Sequence, residues 1–249
     1  MQLDMTKGKP LPVILQFTIP LVIGNIFQQL YNTVDSYVVG NFVDTNALAA
    51  VGASTPVINM LVGFFMGLSA GAGVVISQYF GGRRKEDMSK AVHSSIALTA
   101  LLSVVFTVAG MLFTKPLLRA IGVPEEVLPH SSLYLTIYFA GMTFSLFYNM
   151  GSGILRAVGD SRHPLIYLAV ASLVNIALDF LFVCGFHMGI AGVAIATIIA
   201  QAFSWIFGIF YINKKYPQIH IHPFCFKFDK ALFGQIVKLG VPAGVQQAL

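Results

Sequence analysis

NIFQQLYNTVDSYVVG, residues 25–40, sits inside a run from 11 to 39 that is otherwise apolar enough to enter a lipid bilayer, yet it carries Asn25, Gln28, Gln29, Asn32 and Asp35. Asn25, Gln28, Asn32 and Asp35 recur at steps of three, four and three, which lines them along one face of a helix. A carboxylate at the centre of a membrane helix costs about 2.5 to 3.5 kcal/mol on insertion scales. The stripe must therefore face protein or a water-filled cavity, and the rest of the chain must supply what it faces.

That rest has the composition of a polytopic membrane protein. Of the 249 residues, 56% are hydrophobic and only 10% charged, against roughly 25% charged in soluble domains. Windows of about 20 apolar residues, the length that crosses a hydrocarbon core as a helix, fall at 13–39, 54–80, 92–113, 133–155, 164–186 and 190–212. A transmembrane barrel would instead show segments of about ten alternating residues. The expected fold is all-α, a bundle of six transmembrane helices.

Charge placement gives the orientation. Lys7, Lys9, Arg83, Arg84, Lys85, Lys90, Arg156, Arg162, Lys214, Lys215, Lys227, Lys230 and Lys238 fall in the amino terminus or in the second, fourth and sixth loops, whereas the other loops hold Lys115 and Arg119. This positive-inside bias predicts a cytoplasmic amino terminus in a multi-pass protein of the cell (plasma or inner) membrane, and it accounts for the basic excess without a nucleic-acid partner. The first span is too long for a signal-peptide core and reads as retained. Cys184 and Cys225 are expected on opposite sides of the membrane, unpaired.

Connections are short except at 114–131, outside, and 213–231, inside, so sequential spans should pack as antiparallel neighbours. The terminal IVKLGVPAGVQQAL, 236–249, loosely repeats ILQFTIPLVIGNIFQQL, 14–30: an Ile six residues before a proline, small and apolar residues, then Gln-Gln. Weak self-similarity of this kind is how duplicated transporter halves appear in sequence. The chain divides accordingly into a six-helix lobe at 1–212, a cytoplasmic linker at 213–231 and the start of a seventh helix and second lobe at 232–249.

Two more spans carry polar stripes. SLVNIALDF, 172–180, sets Ser172, Asn175 and Asp179 on one face; IATIIAQAFSW, 195–205, aligns Thr197, Gln201 and Ser204. At about 1.5 Å per residue, Asp35, Asp179 and Thr197 all lie roughly 8 to 10 Å from their outer helix ends. Two carboxylates at one depth would be costly against lipid and should face inward, toward each other, so Asp35, Asn175, Asp179 and Thr197 read as a proton or hard-cation site. The residues leave H⁺ and Na⁺ open. Pro20, fifteen residues before Asp35, removes a backbone hydrogen bond and is a candidate hinge.

The chain resembles the multidrug and toxic compound extrusion family of secondary transporters. The resemblance lies in IPLVIGNIFQQLYNTVDSYVVG at 19–40, ALAAVGASTPV at 47–57, GLSAGAGVVISQYFGGRR at 67–84, ILRAVGDSRHP at 154–164, NIALDFLFV at 175–183 and GIAGVAIATIIAQ at 189–201. It implies one lobe of a twelve-helix transporter, with the second lobe as its partner. It further implies a cation site at Asp35, Asn175, Asp179 and Thr197, with Tyr134 and Asn149 as neighbours, and a substrate cavity touched by Gln28, Asn32, Tyr134, Asn149 and Gln201. The implied activity is export of amphiphilic, often cationic, organic compounds against H⁺ or Na⁺, with no cofactor. A flippase of lipid-linked oligosaccharides is the alternative within the same larger group; it should display inward-facing Arg or Lys for an anionic headgroup, and the spans hold none. An intramembrane enzyme or scaffold is a more distant reading, since no nucleophile or metal motif accompanies the acids.

Three other features are set aside. HIHPFC, with His220, His222 and Cys225, offers three metal-ligand types in a linker without a second cluster. GGRRKEDMSK lacks the Gly-Lys-Ser/Thr ending of a phosphate loop. The small residues of GLSAGAG, 67–73, are expected to permit close helix packing.

Overall fold

The computed structural model describes residues 10–216 and 229–248. His220, His222, Cys225, most of the expected linker, and Lys7, Lys9 and Lys227 lie outside the described residues.

Eight α-helices account for nearly all of the described chain: α1 (Pro10–Phe42), α2 (Thr45–Gly81), α3 (Lys85–Ala120), α4 (Leu128–Ala140), α5 (Met142–Ala157), α6 (Arg162–Phe180), α7 (Gly189–Lys215) and α8 (Lys230–Ala248). Among the described residues, α2, α3, the segment Arg162–Gly185 and α7 are each long and apolar enough to cross a membrane. α1, with 33 residues, has the length to cross as well. The protein is a polytopic, all-helical membrane protein.

Local chemistry sets the boundaries. Asp44 caps α2, its Oδ1 accepting the Ala47 N–H at 2.6 Å. Glu86 and Asp87 place negative charge on the amino-terminal turn of α3. Gly122, at φ +80°, lets the chain turn away after that helix. The long outer connection expected at 114–131 is thereby shortened, because α3 runs on to Ala120 and α4 begins at Leu128.

The fourth span is two helices, where an apolar reading gives one. It breaks at Gly141, whose missing side chain is filled by Ile198 of α7; any Cβ there would collide with that side chain. The break therefore lets α7 approach closely. A second irregularity follows Asp179, where α6 widens into a π-helical turn at Leu181–Gly185 before the chain reverses into α7.

Packing separates two apolar cores. The larger draws on α2, α3, α4, α5, α7 and α8 around Phe65, Leu68, Leu135, Leu146, Ile154 and Ile236. The smaller gathers around the carboxy-terminal end of α1, with Val38 and Val39 of α1, Ala47 and Ala50 of α2, Val183 after α6, and Val193 and Ala194 of α7. α8 lies along α2 through a seam of glycines: Gly63, Gly67 and Gly71 face Gln247, Gly244 and Gly240, backbone against backbone, with no room for a Cβ at these three α2 positions. This is what the GLSAGAG stretch accommodates.

At the amino-terminal end of α6, a polar cluster fastens the turn between α5 and α6 to the end of α7. The buried Asp160 carboxylate accepts from His163 Nδ1 at 2.8 Å and from the Tyr211 hydroxyl at 2.9 Å. Longer bonds come from the His163 backbone N–H at 3.3 Å and the Tyr216 hydroxyl at 3.4 Å. Lys215 Nζ stands 3.8 Å away, and the His163 and Tyr211 rings stack with centroids 3.9 Å apart. Burial acts to raise this carboxyl, but the bonds from His163 and Tyr211 outweigh it and hold the group below the ordinary carboxylate value.

Candidate ion and substrate site

α1, α6 and α7 pack against one another. There they bring Asp35, Asn175, Asp179 and Thr197 together out of solvent, with Asp179 fully buried and Asp35 5% exposed. Asp35 lies against both Asp179 and Thr197. Asn175 Nδ2 donates to Thr197 Oγ1 at 3.4 Å, and the Thr197 hydroxyl donates on to the Val193 carbonyl at 3.1 Å, which fixes the threonine. Yet among the described residues Asp35 Oδ1, both Asp179 oxygens and Asn175 Oδ1 have no donor at hydrogen-bond geometry.

Buried polar atoms are ordinarily paired. A cluster of acceptor oxygens without donors, two of its groups capable of negative charge, suits a proton or a small hard cation, which supplies the missing positive charge. Among the described residues no set of three His, Cys, Asp or Glu has the arrangement of a transition-metal centre.

One turn beyond these groups, toward the carboxy-terminal ends of α1 and α6, the same three helices are apolar. Val39 follows Asp35 by four residues, Val183 follows Asp179 by four and Val193 precedes Thr197 by four, all buried in the smaller core. The carboxylates are thus sealed on that side. On the flank they adjoin a cavity of about 360 Å³ whose walls include Gln28, Tyr31, Asn32 and Asp35 of α1, Thr55 and Asn59 of α2, Tyr134 and Tyr138 of α4, and Thr197 of α7. The lining is amide, hydroxyl and phenol with an apolar strip at Val51, Ile58 and Val62, one carboxylate and no basic side chain.

The predicted residues divide clearly. Gln28, Asn32 and Tyr134 line the cavity, together with Tyr31, Tyr138 and Asn59, which the helix-face argument did not single out. Asn149 does not reach it: its Nδ2 bonds back to the Ser145 carbonyl at 2.8 Å, while its own carbonyl accepts from Ser69 Oγ at 2.9 Å and ties α5 to α2. Gln201 lines a separate, smaller crevice. Asn25 and Asn32 are exposed, so the first-span stripe runs from a buried end at Asp35 to an open one at Asn25. Pro20 is buried, and α1 continues through it unbroken.

The sequence profile described as MatE matches residues 20–181. The chain is 34% identical over 243 residues to a probable multidrug resistance protein, YpnP, of Bacillus subtilis, covering 98% of this chain and 54% of that one. It is 25% identical to the multidrug export protein MepA of Staphylococcus aureus, with the same coverage. Among solved structures it superposes with TM-score 0.90, at 28% identity and over 99% of its length, on the outward-facing conformation of a multidrug resistance MATE family transporter of the MOP superfamily, covering 55% of that chain. A TM-score of 0.90 at 28% identity is also found with a MOP superfamily transporter from Pyrococcus furiosus, described by a binding pocket of reversed polarity that suggests a different function. The chain spans about half the length of the curated relatives it matches.

Proposed function

Because this chain belongs to the MatE family, whose matched relatives are multidrug resistance and export proteins rather than enzymes, we propose that it forms the amino-terminal lobe of a secondary multidrug exporter. In this reading residues 1–212 are the lobe, 213–231 the cytoplasmic linker and 232–249 the start of the second lobe, in a cell membrane with the amino terminus cytoplasmic. The exporter moves amphiphilic, often cationic, compounds against H⁺ or Na⁺.

The observation that carries this is the pairing of two buried carboxylates, Asp179 with neither oxygen met by a donor and Asp35 with Oδ1 unmet, with an adjoining cavity of about 360 Å³. Asp35 belongs to both. A proton or Na⁺ arriving at the pair neutralises the carboxylate that faces the cavity and weakens its hold on a cationic substrate; a departing ion restores it. Ion and substrate thereby exclude each other, which is the requirement for exchange. Pro20, below the cavity on α1, is the point at which that helix bends as the site changes state. The phenols and amides of the wall suit flat, amphiphilic cations. A lipid-linked pyrophosphate would need basic groups there, and the lining has none.

The deciding experiment is drug export by the intact transporter carrying Asp35→Asn or Asp179→Asn. Both variants should insert at normal levels and export no better than cells without the protein. Full resistance in either one refutes the assignment.

A further inference from the structure

The three helices that present Asp35, Asp179 and Thr197 repeat their polar character one turn deeper. Tyr31 precedes Asp35 by four residues on α1, Asn175 precedes Asp179 by four on α6, and Gln201 follows Thr197 by four on α7. Since α7 runs opposite to the other two, these three residues form a layer about 6 Å inward of the carboxylates. The corresponding layer on the outer side is valine.

The inner layer encloses a crevice with a volume of about 10 Å³, walled by Tyr31, Asn175, Thr197 and Gln201, with Leu168 and Ala171 behind them. That is the smallest space that takes one water-sized guest, about 10 to 15 Å³. Two buried acceptors, Asn175 Oδ1 and Gln201 Oε1, have no donor among the described residues. Asn175 is only 2% exposed. Three nearby donors are committed elsewhere: the Ser172 hydroxyl to the Leu168 carbonyl at 2.8 Å, the Thr197 hydroxyl to Val193, and Asn175 Nδ2 to Thr197. Two carbonyl acceptors and a phenol around a space for one atom define a site for a small donor or cation.

We propose that Tyr31, Asn175 and Gln201 form an inner station for the coupling ion, through which it passes between Asp35–Asp179 and the inner end of the lobe. This rests on the reading of those carboxylates as the coupling site, and it moves Gln201 from the substrate cavity to the ion path. The guest is a proton-carrying water or a largely dehydrated Na⁺; both seek the same two carbonyl oxygens. The station has no charge of its own, so it holds the guest weakly and releases it in either direction, whereas a third carboxylate would trap it. The titratable groups around it are Tyr31 itself, Tyr138 of α4 and Tyr148 of α5 beside that ring, and the two carboxylates one turn outward.

The test uses the intact transporter and measures its melting temperature against Na⁺ at fixed pH and against pH without Na⁺. Tyr31→Phe removes only the hydroxyl, and Gln201→Met keeps the side chain's length while removing its amide. Each should move the ion midpoint by about tenfold, the scale on which partners of ion ligands act. A shift along the Na⁺ axis assigns the station to the cation, and a shift along the pH axis assigns it to the proton-carrying water. If Gln201→Met does not fold, Tyr31→Phe decides alone. Unchanged midpoints in the folded variants, with the dependence abolished by Asp179→Asn, would overturn the station and leave the carboxylate site standing. Persistence of the dependence in Asp179→Asn sinks the carboxylate reading, and the station with it.

Discussion

Asp160, just before α6, and Asp179, near its end, are buried to nearly the same degree, and their surroundings are opposite. Asp160 accepts from His163, Tyr211 and Tyr216 and has Lys215 close by. Asp179 has no donor on either oxygen among the described residues and faces a second acid. A carboxylate ringed by donors is committed to its anionic form and fastens helices together. One that lacks them gains most from a mobile positive charge, and so it can exchange one. Burial alone does not distinguish the two roles; the count of donors does.

The contrast can be broken most sharply by Asp160→Ala. It leaves the hydroxyls and the imidazole without their shared acceptor, and breaking a buried charged cluster on one side should cost about 3 to 5 kcal/mol in an unfolding titration. Asp179→Asn should behave in the opposite way, with a melting temperature equal to or above that of the native protein, because it removes a repulsive acid. A large loss of stability there would show that Asp179 is structural too. Acid gives a third comparison. The Asp160 carboxyl is held below its unfolded value of about 3.9, so its contribution is complete above that value and is lost as pH falls through the folded one. Replacing it by Asn should flatten the acid limb of stability against pH below about 5. Smaller still, Tyr216→Phe removes one long bond to Asp160 and should cost about 0.5 to 1.5 kcal/mol. The exposed Arg119–Glu125 pair, at 3.2 Å, sets the floor: Arg119→Ala should change stability by less than about 1 kcal/mol.

The sequence was informative where the physics is local. Spans of about 20 apolar residues, the helix face shared by Gln28, Asn32 and Asp35, and the common depth of Asp35, Asp179 and Thr197 follow from the rise of a helix, which needs no tertiary knowledge. What escaped depends on distant partners. Gly141 breaks a span because Ile198, far along the chain, occupies its missing side chain. Asp160 gains its hydroxyl donors from Tyr211 and Tyr216, about fifty residues on, and nothing in its own neighbourhood marks them. Asn149 has the right residue type and the wrong direction, since its amide turns back to Ser145. The outward valine layer was hidden for a different reason. Valine in a membrane span carries no signal until three helices are seen to set it at one level.

The glycine seam between α2 and α8 bears on how the protein is made. Gly67 meets Gly244, and Gly71 meets Gly240, across roughly 170 to 180 residues of chain. At about 5 to 20 residues per second of synthesis, α2 therefore spends roughly 10 to 35 seconds in the bilayer with a bare backbone groove and no helix to fill it. The amino-terminal helices are not finished when the last of them leaves the ribosome. Their assembly waits for α8, so the groove on α2 closes only once residues 240–247 have been made.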